Sequence, residues 1–392
     1  MRIPDFDKIL GAMLEAYEGI SDLNFTVGHP LQVEDFGELK PIFVDPPIKC
    51  LTSYQTEQLA LTLMQGDVRL MREYLREGSC DCSYSLNDRA RFRVNIFRQQ
   101  GNFAIVMRKL QADVPSLEAV SLPLIFEQIA QEKNGLVLVT GATGSGKTTT
   151  MAALLNEVNL KQSVHVVTLE DPIEFIHPPR KATFNQRELG TDFESYPNGL
   201  RAALRQAPKI IFVGEMRDRP TVEVALMAAE TGHLVLSTLH TVDAGQSINR
   251  ILGLFSLGEE QQLRLRLADA VRYIVSQRLL PKIGGGRHLV TEIMGHNLRT
   301  RETIALGETE GRNFYEIIEA SAPFGWSTFD QSVLRAYEGG HITEETALRY
   351  ASKKGRVSRG IDLIQKAQGI SDGRDTGLRL DVPANAFLLG KK

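Results

Sequence analysis

The stretch G-A-T-G-S-G-K-T, Gly141 to Thr148, sits directly after the apolar run Leu136 to Val139 and opens a segment with helical character. Its spacing, G-x-x-x-x-G-K-T, narrows the possible folds more than any other feature of the chain. Glycines let successive backbone N–H groups turn inward, and a helix starting at the loop adds the positive end of its dipole, so an anion is cradled there. Such a loop works between a strand and a helix, which predicts an α/β unit with a mostly parallel sheet. In this arrangement Gly141, Thr143, Gly144, Ser145, Gly146 and Thr149 belong to the cradle, Lys147 reaches the β and γ phosphates, and Thr148 supplies a hydroxyl to Mg²⁺. ATP and Mg²⁺ are the ligands predicted.

The runs Gly135 to Thr140, Val164 to Leu169, Ile210 to Val213 and Leu234 to Leu239 are short, apolar and do not alternate, as strands buried on both faces should be. Open parallel sheets bind ligands at the carboxyl ends of their strands, so the residues that follow each run are the candidate catalytic groups. These are Glu170, Asp171 and Glu174 in E-D-P-I-E, Glu215, Arg217 and Asp218 in G-E-M-R-D, and His240 in T-L-H-T. Glu215 is the candidate for orienting or deprotonating an attacking water. Glu170 is the candidate partner of Mg²⁺ through water, because Mg²⁺ gives up its own waters reluctantly. Asp171 and Glu174 serve equally well as caps of a turn at Pro172. A strand at about 3.3 Å per residue keeps His233 and His240 far apart. Only His240, at the carboxyl end, is assigned to sense a γ-phosphate, and His233 falls at the far edge.

Residues 1–110 read differently. Alternating runs such as S-D-L-N-F-T-V at 21–27 and A-R-F-R-V-N-I-F at 90–97, with a helix over Tyr54 to Gln65, predict a small α+β module. Period-2 alternation puts Phe92, Val94 and Ile96 on one face and Arg91, Arg93 and Asn95 on the other. Arg91, Arg93 and Arg108 are therefore candidates for a positive charge supplied from outside the nucleotide fold, in the manner of an arginine finger. The reading without function is a solvated polar face. The segment 111–116, with Pro115 among polar residues, predicts a hinge, 117–372 the ATPase region with C-terminal helices, and 373–392 a loose tail.

Global composition excludes little. A net charge of -3, from 45 basic and 48 acidic residues, carries no signature of a nucleic-acid or membrane-surface binder. No stretch approaches the roughly 20 apolar residues of a membrane span, so a cytoplasmic protein without direct nucleic-acid contact is expected. The three cysteines, Cys50, Cys80 and Cys82, fit no usual zinc or disulfide framework.

In order along the chain, G-A-T-G-S-G-K-T-T-T, V-T-L-E-D-P-I-E-F, V-G-E-M-R-D and A-A-E-T-G-H-L-V-L-S-T-L-H-T resemble the four nucleotide motifs of the secretion ATPase superfamily. The likeness is to type IV pilus retraction ATPases of the PilT and PilU kind. It extends to S-D-L-N-F, A-R-F-R-V-N-I-F, V-S-Q-R-L-L-P-K-I-G-G-G-R at 275–287 and S-T-F-D-Q-S-V at 327–333. The resemblance implies a PAS-like N-terminal domain followed by a RecA-like P-loop ATPase domain. It further implies a homohexamer, ATP held between the two domains, and arginines of the first domain assisting hydrolysis. Glu215 matches the family's hydrolytic glutamate. The implied setting is peripheral to the inner membrane, where the ring turns a pilus platform protein, withdraws pilin and drives twitching motility. The superfamily's extension motors carry a further N-terminal region and a four-cysteine zinc site, neither of which is expected here.

Two departures stand out. Where these retraction ATPases commonly read D-P-D, this chain reads A-P-K at 207–209. The helical motif A-I-R-N-L-I-R-E of PilT has no good counterpart in H-N-L-R-T-R-E-T-I-A-L at 296–306. The second departure leans toward a motor that acts beside a second retraction ATPase. Open alternatives are a secretion or DNA-uptake ATPase of the same superfamily, and an accessory ring that binds ATP and hydrolyses little without a partner motor.

Overall fold

The computed structural model describes residues 3–44, 47–87, 89–110 and 113–368. The expected tail at 373–392 and the first two hinge positions, 111 and 112, lie outside the described residues. Among the described residues the chain forms two sheets with separate cores, which is the α+β followed by α/β class predicted from the sequence.

The first sheet is built from β1 (Ile20–Phe25), β2 (Leu31–Asp35), β3 (Glu38–Ile42), β4 (Ser79–Leu86), β5 (Ala90–Gln99) and β6 (Asn102–Lys109). They pair antiparallel in the order β3-β2-β1-β6-β5-β4. Alternation along β5 is complete where it matters: Phe92, Val94 and Ile96 are fully buried, while Arg93 is exposed and Arg91 and Asn95 are half-buried. The buried face packs on the helix Ile3–Glu15, whose Phe6, Leu10 and Met13 recur at helical spacing. It also packs on the helix Ser53–Met64, which starts at a capping box between Thr52 and Gln55.

The second sheet contains β7 (Gly135–Thr140), β8 (His165–Glu170), β9 (Thr183–Glu188), β10 (Ile210–Val213), β11 (Leu234–Leu239), β12 (Val271–Pro281) and β13 (Arg287–Gly295). Its order is β13-β12-β7-β11-β10-β8-β9, with parallel pairing everywhere except in the β12–β13 hairpin. Every residue of β7, β10 and β11 is buried, because helices cover both faces of the sheet.

Register decides where the site falls. Val213 pairs with both Leu169 and Ser237, and Leu239 pairs with Thr140, so β7, β8, β10 and β11 end along one edge. Strand β11 lies between the strand that feeds the glycine loop and the strand that feeds Glu215. At the A-P-K departure, Ala207 adopts φ 53°, a left-handed conformation that Asp tolerates better than Ala. The H-N-L-R-T-R-E segment forms the helix Leu298–Leu306, capped by Asn297 and packed against the helix Glu260–Ala270. Three further helices, Phe329–Glu338, Glu344–Tyr350 and Lys354–Ala367, share a small core with Leu280 and Val290 of the hairpin.

Candidate active site

The helix Lys147–Lys161 begins at Gly146, and among the described residues no side chain caps its first turn. Its leading N–H groups are therefore available to an anion. Gly141, Gly144 and Gly146 have φ of 152°, 77° and 90°. A Cβ on Gly141 would lie 2.4 Å from Ser145 Oγ and 2.8 Å from the Gln277 carbonyl oxygen, so the loop's first turn has no room for a side chain. Lys147 is only 9% exposed, and its Nζ donates to the Gly141 and Ala142 carbonyls at 2.8 and 3.0 Å. Burial pushes its pKa down, which a phosphate charge would reverse. Ser145 Oγ is buried without a hydrogen-bond partner among the described residues. A polar loop with an orphaned hydroxyl, an uncapped helix start and a lysine parked on its own carbonyls fits a polyphosphate. Gly141→Ala is expected to weaken binding of a fluorescent ATP analogue about tenfold or more, since overpacking here costs about 1–3 kcal/mol. Circular dichroism checks that the fold is retained.

The acids meet this loop in one cavity of about 840 Å³, whose lining includes Lys147, Thr148, Glu170, Glu174, Glu215 and His240. Glu215 Oε2 accepts from Arg217 Nε at 2.8 Å and lies 3.5 Å from His240 Nε2. Thr238 and Ser237 of β11 donate to the carbonyls of Gly214 and Val213, which fixes the end of β10 just before Glu215. Glu174, which the sequence left open as a cap, is half-buried here. Burial raises its pKa, opposed by a hydrogen bond from Thr148 and by the charge of Arg93. Asp171 is exposed. His233 stays at the opposite end of β11, its Nδ1 3.1 Å from the Ala228 carbonyl oxygen.

Glu170 is 8% exposed, and its Oε1 accepts from Thr168 Oγ1 at 2.6 Å and Gln186 Nε2 at 3.3 Å. Burial outweighs both bonds and lifts its pKa to about 7. The folded protein thus keeps a proton on Glu170 over a range where the unfolded chain, with a carboxyl near 4.5, has lost it. Stability falls as pH rises through that window and levels off above about 7. Between about pH 5.5 and pH 8 this group alone removes about 2 kcal/mol. Urea midpoints at the two pH values test this: Glu170→Gln is expected to flatten the slope, leaving the share of Glu292, also buried and lifted to about 7.

The three arginines of the first sheet have different surroundings. Arg93 lines the same cavity and donates no hydrogen bond to a described residue. Arg91 is tied within the chain, donating to Glu188 Oε2 at 3.2 Å and to the Ile173 carbonyl at 2.9 Å. Arg108 pairs with Asp22 at 2.8 Å, beside an adjoining cavity that Arg93 and Glu174 also line. The sequence reading missed Arg287, Tyr196 and Leu279, which also line this cavity. Arg287 approaches the Gly144 carbonyl at 3.4 Å. Its signal was present in the glycine-flanked basic end of P-K-I-G-G-G-R, but nothing local says that this hairpin folds over the loop.

Residues 80–313 match the type II/IV secretion system protein family. The chain is 35% identical to the type IV pilus ATPase PilU of Pseudomonas aeruginosa, over 94% of this chain and 96% of that protein. It is 38% identical to the type IV pilus retraction ATPase PilT of the same organism, over 85% of this chain and 94% of that one. Its structure superposes on that of the pilus retraction motor PilT with bound ADP at a TM-score of 0.80 and 38% identity, covering 92% of this chain and 99% of the motor. With the four motifs converging on one cavity, and with relatives matched along nearly their whole length, the chain belongs to the type II/IV secretion system protein family, among relatives named for type IV pilus motors.

Proposed function

We propose that this protein is an ATP-hydrolysing motor that powers type IV pilus retraction. The observation that carries the reading is that Lys147, Thr148, Glu170, Glu215 and His240 line one cavity together with Arg93 from the other sheet. The glycine loop holds the triphosphate, and Lys147 exchanges the Gly141 and Ala142 carbonyls for phosphate oxygens. Glu215 orients a water and takes its proton as the water oxygen bonds to the γ-phosphorus and the bond to the ADP oxygen breaks. His240, 3.5 Å from Glu215, reports the presence of the γ-phosphate to β11 and the helix that follows. Arg93 meets the negative charge that develops on the transferred group. Mg²⁺, when bound with the nucleotide, neutralises phosphate charge; Thr148 would hold it directly and Glu170, once ionised, through water.

The motor reading extends to a homohexameric ring in the cytoplasm, recruited to an inner-membrane platform protein of the pilus machine. No helix among the described residues is long and apolar enough to cross a membrane. The test is twofold. Purified protein is expected to hydrolyse ATP with Mg²⁺ at a mass of six subunits. Expression in a strain lacking its retraction motors is expected to restore pilus withdrawal, either alone or only beside a second retraction ATPase. Hydrolysis without any effect on pili would move the protein to another secretion machine of the superfamily.

A further inference from the structure

The loop that follows Glu170 and carries Asp171 and Glu174 has no regular secondary structure from 171 to 178, so its backbone groups need partners from elsewhere. At Ile173 both partners are side chains. The N–H donates to Glu188 Oε2 at 3.1 Å, and the carbonyl accepts from Arg91 at 2.9 Å. Arg91 and Glu188 pair with each other at 3.2 Å, and Ser83 donates to the other Glu188 oxygen at 2.5 Å. Glu188 and Arg91 are 8% and 19% exposed, so this network is nearly dry.

Its members come from both sheets. Ser83 is on β4 and Arg91 on β5 of the first, while Glu188 ends β9 of the second, paired with Glu170 across the β8–β9 ladder. The charge of Arg91 also reaches Glu170 and opposes the effect of burial there.

We propose that Ser83, Arg91 and Glu188 form a positioning clamp, which holds the Glu170–Glu174 loop through the backbone of Ile173 and so makes hydrolysis conditional on docking of the first sheet against the second of the same chain. Arg91 then acts through the loop and not on phosphate. A buried ion pair of this kind adds little net stability but enforces one geometry, since every alternative leaves a charge unpaired. When the first sheet moves away, the Ile173 carbonyl loses its donor and Glu188 its countercharge. The loop beside Thr148 is then released. The consequence for hydrolysis rests on the ATPase reading above; the mechanical consequence does not.

The test compares full-length wild type with Glu188→Gln, Arg91→Lys and the double variant. Hydrogen exchange of the 173–177 amides is expected to speed up about tenfold in each single variant and no further in the double, with the amides of 151–158 unchanged. The kcat for ATP is expected to fall about tenfold or more, as misplacement of a catalytic loop does, while KM and fluorescent-nucleotide affinity stay within about twofold. Unchanged exchange overturns the clamp. So do kcat losses that multiply in the double variant, or nucleotide affinity that falls in step with kcat, which would put Arg91 on phosphate. If wild type shows no hydrolysis while the exchange pattern holds, the clamp stands and the ATPase reading fails.

Discussion

Glu215→Gln is expected to lower kcat for ATP hydrolysis by about 10²- to 10⁴-fold, with nucleotide affinity and particle mass unchanged. The amide keeps the size of the carboxylate and its place at the end of β10, anchored by the Ser237 and Thr238 hydroxyls, but it cannot take a proton. Arg217 Nε donates to Glu215 Oε2 at 2.8 Å, which aims that oxygen. In the proposed mechanism affinity comes from the glycine loop, Lys147 and the start of the helix Lys147–Lys161, whereas the described partners of Glu215 are Arg217 and His240, so binding and turnover should separate. The measurement is steady-state phosphate release beside titration with a fluorescent ATP analogue. A variant that retains activity would shift the base to Glu174, the half-buried carboxylate that accepts from Thr148 in the same cavity. A variant that loses affinity as well would mean that Glu215 shapes the phosphate pocket.

Arg93→Ala is expected to cost about 10³-fold in kcat, the scale of an arginine supplied to a developing phosphate charge. The reason for choosing Arg93 is what surrounds it. Arg91 is occupied by Glu188 and Ile173, and Arg108 by Asp22, whereas Arg93 lines the cavity with no hydrogen bond to a described residue. The charge of Arg93 acts on Glu174, and a triphosphate in the cavity would offer Arg93 a more strongly charged partner. Arg93→Lys is the informative companion, because a point charge keeps the long-range attraction but loses the planar fork, and recovery of more than about a tenth of the activity would argue for charge alone. Phosphate release over a range of ATP concentrations separates the outcomes: a finger lowers kcat, and a residue that merely binds ATP raises KM.

How much of this could be read from the sequence follows the range of the interactions involved. The glycine loop, Lys147 and Thr148 were legible because eight consecutive residues carry both the backbone conformation and the chemistry. Strands β7, β10 and β11 were legible because burial on both faces leaves an unbroken apolar run, and β5 because one buried face leaves a period of two. Even the position of Glu170, Glu215 and His240 around one cavity followed from the sequence, given the rule that ligands gather at the carboxyl ends of parallel strands.

Neighbourhood across the fold was not legible. No spacing rule states that β11 separates β7 from β10, that the β12–β13 hairpin brings Arg287 to the loop at Gly144, or that Glu188 meets a residue 97 positions earlier. The alternation along β5 assigned Arg91 and Arg93 the same face and the same candidacy; tertiary structure gave one a buried partner and left the other to the cavity. The sequence by itself determined which groups exist at each strand end, since those are fixed by local backbone geometry and apolar periodicity. Only the folded chain decided which charges are already spent on each other and which remain for a ligand, because pairing depends on distances between segments that the chain order does not encode.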